Sequence, residues 1–341
     1  MERQSYIQAF SQFVLSLGEQ DKNLNPLEIL QWSIPQLTRI VGADASWAGW
    51  LDLTGDAAYC CYSVTSNLPS NFEQAWWTIR RDDILAQDLV NRCSSAVYDR
   101  QGARNSDGMV TFCDNFAINK AAAVVSKPNN SPVSMFISAY RSGRRSLVLE
   151  SDALEFLRCA LDHVRIAMLR REACNDQDGM LLANLEGRIL TASESAVRML
   201  ERHWPGWRRG YLPAELREAL SPSRKLHLAK RGIAVGCRQI AHTSGRPVRS
   251  LSLRPAGPCD QLTEREWQIA IEIAAGRTHK EIAARLSLSP ATVRNRTQDI
   301  LTKVGVHSKA ALSNLLASTA AGPTRSTPSH GAVVEASHCK T

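Results

Sequence analysis

The chain has 341 residues, 44% of them hydrophobic and 6% aromatic, with a formal net charge of +8 at pH 7. That length suits two or three domains, each able to bury a core. No run approaches the about 18 or more apolar residues of a membrane span, and Met1-Glu2-Arg3-Gln4 opens no signal-peptide apolar region, so a cytoplasmic protein without membrane contact is expected.

Ile7, Phe10, Val14 and Leu17 fall at 3-4-3 spacing and predict a first helix with an a/d seam. Leu27, Leu30, Ile34, Leu37 and Val41 predict a second helix over 27–41, kinked at Pro35. The period then changes. Residues 46–52 and 57–64 read as strands around a Thr54–Gly55–Asp56 turn, and 121–126, 134–140 and 145–150 read as three more, separated by Pro128–Pro132 and Ser142–Gly143. After the capping pair Asp152 and Glu155 comes a long helix whose Leu154, Leu157, Leu161, Val164 and Met168 form a second seam.

Helix, helix, two strands, a helical middle, three strands and a closing helix, together with the stretch L-T-R-I-V-G-A-D-A-S-W-A-G-W at 37–50, resemble a GAF domain. The resemblance implies a ligand cavity between the sheet and the helices that cover it. Candidate lining residues are Trp47, Tyr59, Tyr62, Trp76, Trp77 and Phe116, which equally suit core packing. Residues 179–192 predict a strand, a Glu186–Gly187 turn and a second strand, followed by a helix through Ala196, Val197 and Leu200. This opening resembles a PAS domain. Strand-like stretches at 224–229, 233–241 and 248–254 complete a reduced sheet for which no cofactor is expected. Residues 155–254 hold 18 basic and 10 acidic groups, a charge that either steers the chain onto DNA or belongs to a solvated arginine-rich surface.

The segment 261–316 writes four short helices, each with its own start and stop. Thr263 with Glu266, and Thr278 with Glu281, are capping boxes. Gly276 and Gly305 supply left-handed stops. Ser289 caps a third helix whose first position is Pro290, and Ser308 opens a fourth carrying Leu312, Leu315 and Leu316. The second and third helices make a helix-turn-helix. On the third, Arg294, Asn295 and Gln298 are expected to read base edges, and Thr278, Lys280, Ser289, Thr292 and Lys303 to meet phosphates.

The strings L-T-E-R-E at 262–266, G-R-T-H-K-E-I-A at 276–283, L-S-P-A-T-V-R-N at 288–295 and I-L-T-K-V-G-V at 300–306 resemble the LuxR-type DNA-binding domain. Arg296 stands where many members have His, Val304 replaces the usual Leu, and Glu272 falls where an apolar residue is common. Region 4 of sigma factors resembles the same helix-turn-helix and often has Arg at the Arg296 position. The fourth helix and the lack of a recognisable promoter-melting segment favour LuxR. One LuxR subfamily binds acyl-homoserine lactones and carries a W-x-x-x-Y pair followed by D-P and a Trp; Tyr59, Tyr62, Trp77, Asp82 and Asp83 occur here in another order. A phosphorylated receiver domain is disfavoured because no alternating βα repeat ends a buried strand on Asp.

The nine cysteines include no C-x-x-C pair and no His at zinc-ligand spacing, so no metal site is expected. They read as reduced, mostly buried thiols, with a redox pair at Cys60–Cys61 or at Cys93 and Cys113 as the alternative. No G-x-S-x-G elbow, Walker A loop or metal motif marks an enzyme, and no catalytic residue is assigned.

The expected architecture is α+β: a GAF-like sensor domain at 1–174 with flanking dimerisation helices, a reduced PAS-like domain at 175–258, an all-α four-helix LuxR-type helix-turn-helix domain at 259–318, and a disordered tail at 319–341. The expected function is a sequence-specific transcriptional regulator that binds double-stranded DNA as a homodimer and responds to a small-molecule ligand or other signal. An acyl-homoserine-lactone receptor, or a sigma-like factor binding core RNA polymerase, are the alternatives.

Overall fold

The structure is a computed structural model that describes residues 3–20, 23–91, 94–126, 131–170, 178–220, 232–240 and 246–320. The chain divides into two compact units, Met1–Ala256 and Gly257–Thr341.

The first unit opens with α1 (Arg3–Gln20) and α2 (Pro26–Ile40), where Asn25 and Glu28 form a capping box and Pro26 occupies the first turn. Then come β1 (Ala45–Asp52), β2 (Tyr59–Ser66), α3 (Phe72–Ile79), α4 (Ile84–Val90), β3 (Ser95–Asp99), α5 (Asp107–Asn115), β4 (Lys120–Ser126), β5 (Val133–Arg141) and α6 (Ser151–Arg170). The five strands form an antiparallel sheet in the order β2-β1-β5-β4-β3. Alternation sorts the side chains: Trp50, Tyr62, Met135 and Ile137 face α1, α2 and α6, whereas Trp47, Phe136 and Tyr140 face α3, α4 and α5.

Residues 145–150, expected as a strand, are irregular, and the fifth strand is instead β3. The reason is topological. β5 is already paired on both sides, with β1 and β4, so no edge remains for a strand returning directly from it. Arg141 also ties the connection down by donating to the Leu147 carbonyl at 2.8 Å.

The two expected seams are corrected as well. In α1 the buried stripe is Tyr6, Phe13 and Leu17, with Ile7 63% exposed. Aromatic size sets this: Tyr6 meets Phe156 at 5.6 Å and Phe13 stacks on Trp32 at 6.1 Å, which turns Ile7 outward. Leu157, Leu161, Val164 and Met168 of α6 are all buried inside their own unit, in the core shared with α1, α2 and the sheet. They are not free to meet a second subunit.

A second antiparallel sheet follows: β6 (Gly179–Asn184), β7 (Ile189–Ala192), β8 (Ile233–Ile240) and β9 (Val248–Pro255), in the order β7-β6-β9-β8. Its expected helix is α7 (Glu194–His203), joined by the short α8 (Ala214–Arg217). The strand-like segment at 224–229 lies outside the described residues. Leu182, Leu190, Ile240 and Val248 enter the α1–α2–α6 core, and the opposite face is covered by Ala196, Leu200 and Leu216. Arg188 pairs with Asp52 across the two sheets and lies over the rings of Tyr59 at 4.4 Å and Tyr211 at 5.0 Å. The two sheets therefore share one core.

The second unit is all helical: α9 (Glu264–Ala274), α10 (His279–Leu286), α11 (Pro290–Val304) and α12 (Lys309–Ala320), after a short 3-10 turn at Pro258–Gln261. The four helices stand where the capping signals put them. The helix α12 reaches Ala320, past the start of the expected tail, whose remaining residues 321–341 lie outside the described set. Among the described residues, no helix is long and apolar enough to cross a membrane.

Candidate DNA-reading surface

The helix α11 is held by local chemistry at both ends. Ser289 Oγ accepts the Thr292 amide at 3.0 Å, Pro290 fills the first position, and Gly305 closes α11 with φ +72°. The turn before it places Ser287 in the left-handed region, φ +53°. One side of α11 buries Val293, Thr297, Ile300, Leu301 and Val304 against Ile269, Ile273, Ile282 and Leu312. Thr297 turns its hydroxyl back to the Val293 carbonyl at 2.7 Å, so its polar atom enters the core paired.

What α11 leaves outside is Ala291, Arg294, Asn295, Gln298 and Thr302, a stripe at helical spacing. Among the described residues the side chains of Arg294, Asn295 and Gln298 make no hydrogen bond or ion pair within the protein, and all three are exposed. A flanking exposed row is Thr292, Arg296, Asp299 and Lys303. Thr292 and Ser289 share a hydroxyl contact at 2.8 Å. At the start of α10, Thr278 Oγ1 donates to Glu281 at 2.8 Å, while the next-but-one residue, Lys280, is exposed.

Lys303 is engaged differently from the phosphate role expected of it. Its ammonium donates to Glu266 Oε1 at 2.6 Å, and Glu266 is 4% exposed. A nearly buried carboxylate at that place requires a counter-charge, and Lys303 supplies it. Glu272, unusual for the sequence pattern, is explained in the same way: it pairs with Arg277 at 2.7 Å and Arg285 at 3.3 Å, joining α9 to the turn and to α10.

Two groups are not among the expected contact residues, although Arg296 stands out as a departure from the family pattern. Arg296 is exposed beside Thr292, and its place in the flanking row follows from i, i+4 spacing. His279 has its Nε2 buried without a hydrogen-bond partner among the described residues, and burial, with Lys309 and Arg294 nearby, pushes its pKa down. Only tertiary structure places those two cations around it.

In the first unit the aromatic candidates divide. Trp47 meets Trp76 at 4.9 Å, and Trp76 donates to Asp83 at 2.7 Å. Burial raises the pKa of the Asp83 carboxyl, against the bonds it accepts from Trp76 and from the amides of Ala86 and Leu85. Trp77 packs partly on the same face, meeting Trp76 at 5.5 Å and Tyr59 at 5.1 Å. Tyr62 lies on the other face of the sheet, beside Trp50 at 5.9 Å, so the six residues do not converge on one space. Of the six, Phe116 alone lines a cavity of about 410 Å³ that opens at the end of β1 and β5. Cys60 and Cys61 enter opposite cores, and burial raises both thiol pKa values, that of Cys61 to about 12. Neighbours that point apart in a strand do not make a redox pair. Cys113 is buried, and Cys93 lies outside the described residues. Among the described residues no three His, Cys, Asp or Glu side chains are grouped to hold a metal.

Residues 260–316 match the family described as "Bacterial regulatory proteins, luxR family". This segment is a LuxR-family helix-turn-helix domain. Over 51 residues the chain is 51% identical to the transcriptional regulatory protein UhpA of Salmonella typhimurium, a match covering 15% of this chain and 26% of that protein. It is 43% identical over 54 residues to the nitrate/nitrite response regulator protein homolog of Haemophilus influenzae, covering 16% and 26%. The chain thus spans about a quarter of the length of these relatives. Among solved structures, SdiA in complex with octanoyl-rac-glycerol covers 93% of this chain and 98% of its own at 13% identity, with a TM-score of 0.36. A phycoerythrobilin-bound GAF domain from a cyanobacterial phytochrome covers 49% of this chain and 95% of its own at 12% identity, with a TM-score of 0.34.

Proposed function

We propose that the chain is a sequence-specific, double-stranded-DNA-binding transcriptional regulator whose first unit senses a small molecule or other signal. The observation that carries this reading is the unpaired stripe of Arg294, Asn295 and Gln298 on a capped helix of a LuxR-family domain. Guanidinium and carboxamide groups with no partner among the described residues match the acceptors of guanine and the donor–acceptor edge of adenine in the major groove. In this reading Lys280, Ser289, Thr292 and Arg296 meet the phosphates, joined by the amide-rich start of α10 at Thr278. Lys303 serves the fold through Glu266.

Pairing of two copies on a two-fold operator belongs to the proposal, as does a cytoplasmic location with RNA polymerase as the machinery acted upon. Since Leu157, Leu161 and Val164 are internal, pairing uses surfaces other than the α6 seam. Three functional segments, 1–174, 175–258 and 259–318, remain our division of the chain, the first two sharing a core. Selection of bound duplexes from a randomised pool tests the reading: it predicts enrichment of one motif, and a retained pool that stays random would contradict it.

A further inference from the structure

The cavity at the end of β1 and β5 has a chemical character that the DNA-binding reading leaves unused. Its volume, about 410 Å³, is within the range of small-molecule sites. Two of its lining residues, Asn67 and Ala117, are in the left-handed region at φ +57° and +53°. The floor is apolar, with Ile118 and Tyr140 buried and Phe116 partly so.

Two charged side chains line it, and they are committed differently. Arg141 spends Nε, Nη1 and Nη2 on the carbonyls of Gly42, Leu147 and Val41 at 2.8–3.0 Å. Asp44 accepts both of its hydrogen bonds at Oδ2, from the Ser142 amide at 2.7 Å and hydroxyl at 2.8 Å. Asp44 is exposed, and its Oδ1, without a hydrogen-bond partner among the described residues, is open at the mouth of the cavity. The Ser142 bonds, the amide first, and more weakly the nearby Arg141 charge hold the Asp44 carboxyl below its ordinary pKa.

We propose that this cavity binds a small organic ammonium ion with an aryl or other apolar tail, its N–H groups donating to Asp44 Oδ1 and its tail resting on Phe116, Ile118 and Tyr140. An ionised acceptor beside aromatic surface distinguishes such a cation from a neutral or anionic ligand of the same shape. The binding site stands on its own geometry; only its effect on DNA rests on the sensor reading above.

Titration of the full-length chain with 2-phenylethylammonium, 2-phenylethanol and phenylacetate, followed by calorimetry or ligand-observed NMR, tests it. The amine is expected to bind saturably, with the alcohol about tenfold or more weaker and the acid weaker still. Asp44→Asn, whose amide oxygen still accepts from Ser142, is expected to lose about tenfold for the amine and nothing for the alcohol. Phe116→Ala is expected to weaken both. Equal binding of amine and alcohol, unchanged amine binding by a folded Asp44→Asn protein, or no saturable binding up to about 10 mM would overturn the proposal. Should Asp44→Asn fail to fold, the amine–alcohol comparison on the unaltered chain decides alone. Amine binding that leaves DNA affinity unchanged would spare this site and show that it is not where the first unit senses its signal.

Discussion

Glu266 and Lys303 meet at 2.6 Å across 37 residues of sequence, while the other oxygen of Glu266 accepts the Thr263 amide at 2.8 Å. One carboxylate thereby caps the first helix of the second unit and fixes the far end of the third. Lys303→Ala is expected to destabilise Gly257–Thr341 by about 1–3 kcal/mol, because the 4% exposed carboxylate is left without its partner. The slope of log affinity against log salt is expected to stay where it was. Urea unfolding with hydrogen exchange at 263–304 reads the first effect and DNA titration the second; a slope flatter by about one unit would restore Lys303 to the phosphate contacts.

The same pair gives a pH dependence. Burial opposes ionisation of Glu266, but the bonds from Lys303 and Thr263 outweigh it and lower its pKa. A carboxyl with a depressed folded pKa stabilises fully above its ordinary value and loses that contribution as pH falls through the folded value. The unaltered domain should therefore lose stability on acidification below the ordinary glutamate range, and Glu266→Gln should flatten that loss. Identical acid profiles for the two proteins would show that the pair contributes nothing.

The α6 residues give a second test of placement. Leu161 is fully buried within its own unit, so Leu161→Ala should cost about 2–5 kcal/mol in a thermal or urea melt of the first unit. Replacing Leu157 and Leu161 together by Glu should unfold that unit. A folded monomer with sharp NMR lines would mean that these side chains face a partner instead.

Ser287 carries the left-handed turn between α10 and α11, φ +53°, without being glycine. The conformation costs a side chain about 1–2 kcal/mol, and glycine returns about 0.4–1 kcal/mol of that as unfolded-state entropy. Ser287→Gly is thus expected to stabilise the second unit by about 0.5–1 kcal/mol with DNA affinity unchanged. A destabilised variant would show that the Ser287 side chain makes up for the turn.

The parts of the structure that were legible in the sequence are those set by neighbouring residues. Capping boxes at Thr263 and Thr278, Pro290 after Ser289, and Gly305 are local signals, and the helices of the second unit follow from them. The strand at 145–150 failed because its identity depends on a free sheet edge, which β1 and β4 had already taken. Periodicity found the apolar seam of α6 but could not say that α1, α2 and the sheet cover it. Arg188 meets Asp52 across 136 residues and Lys303 meets Glu266 across 37, and no window of sequence contains either pair.

The central claim is that Arg294 and Asn295 read bases. The most direct measurement is the affinity of the full-length chain for its selected duplex and for a scrambled duplex of equal length, compared with Arg294→Ala and Asn295→Ala. Each substitution is predicted to lose about 1–3 kcal/mol on the selected duplex while binding the scrambled one nearly as before. Equal losses on both duplexes, or none on either, would contradict the account.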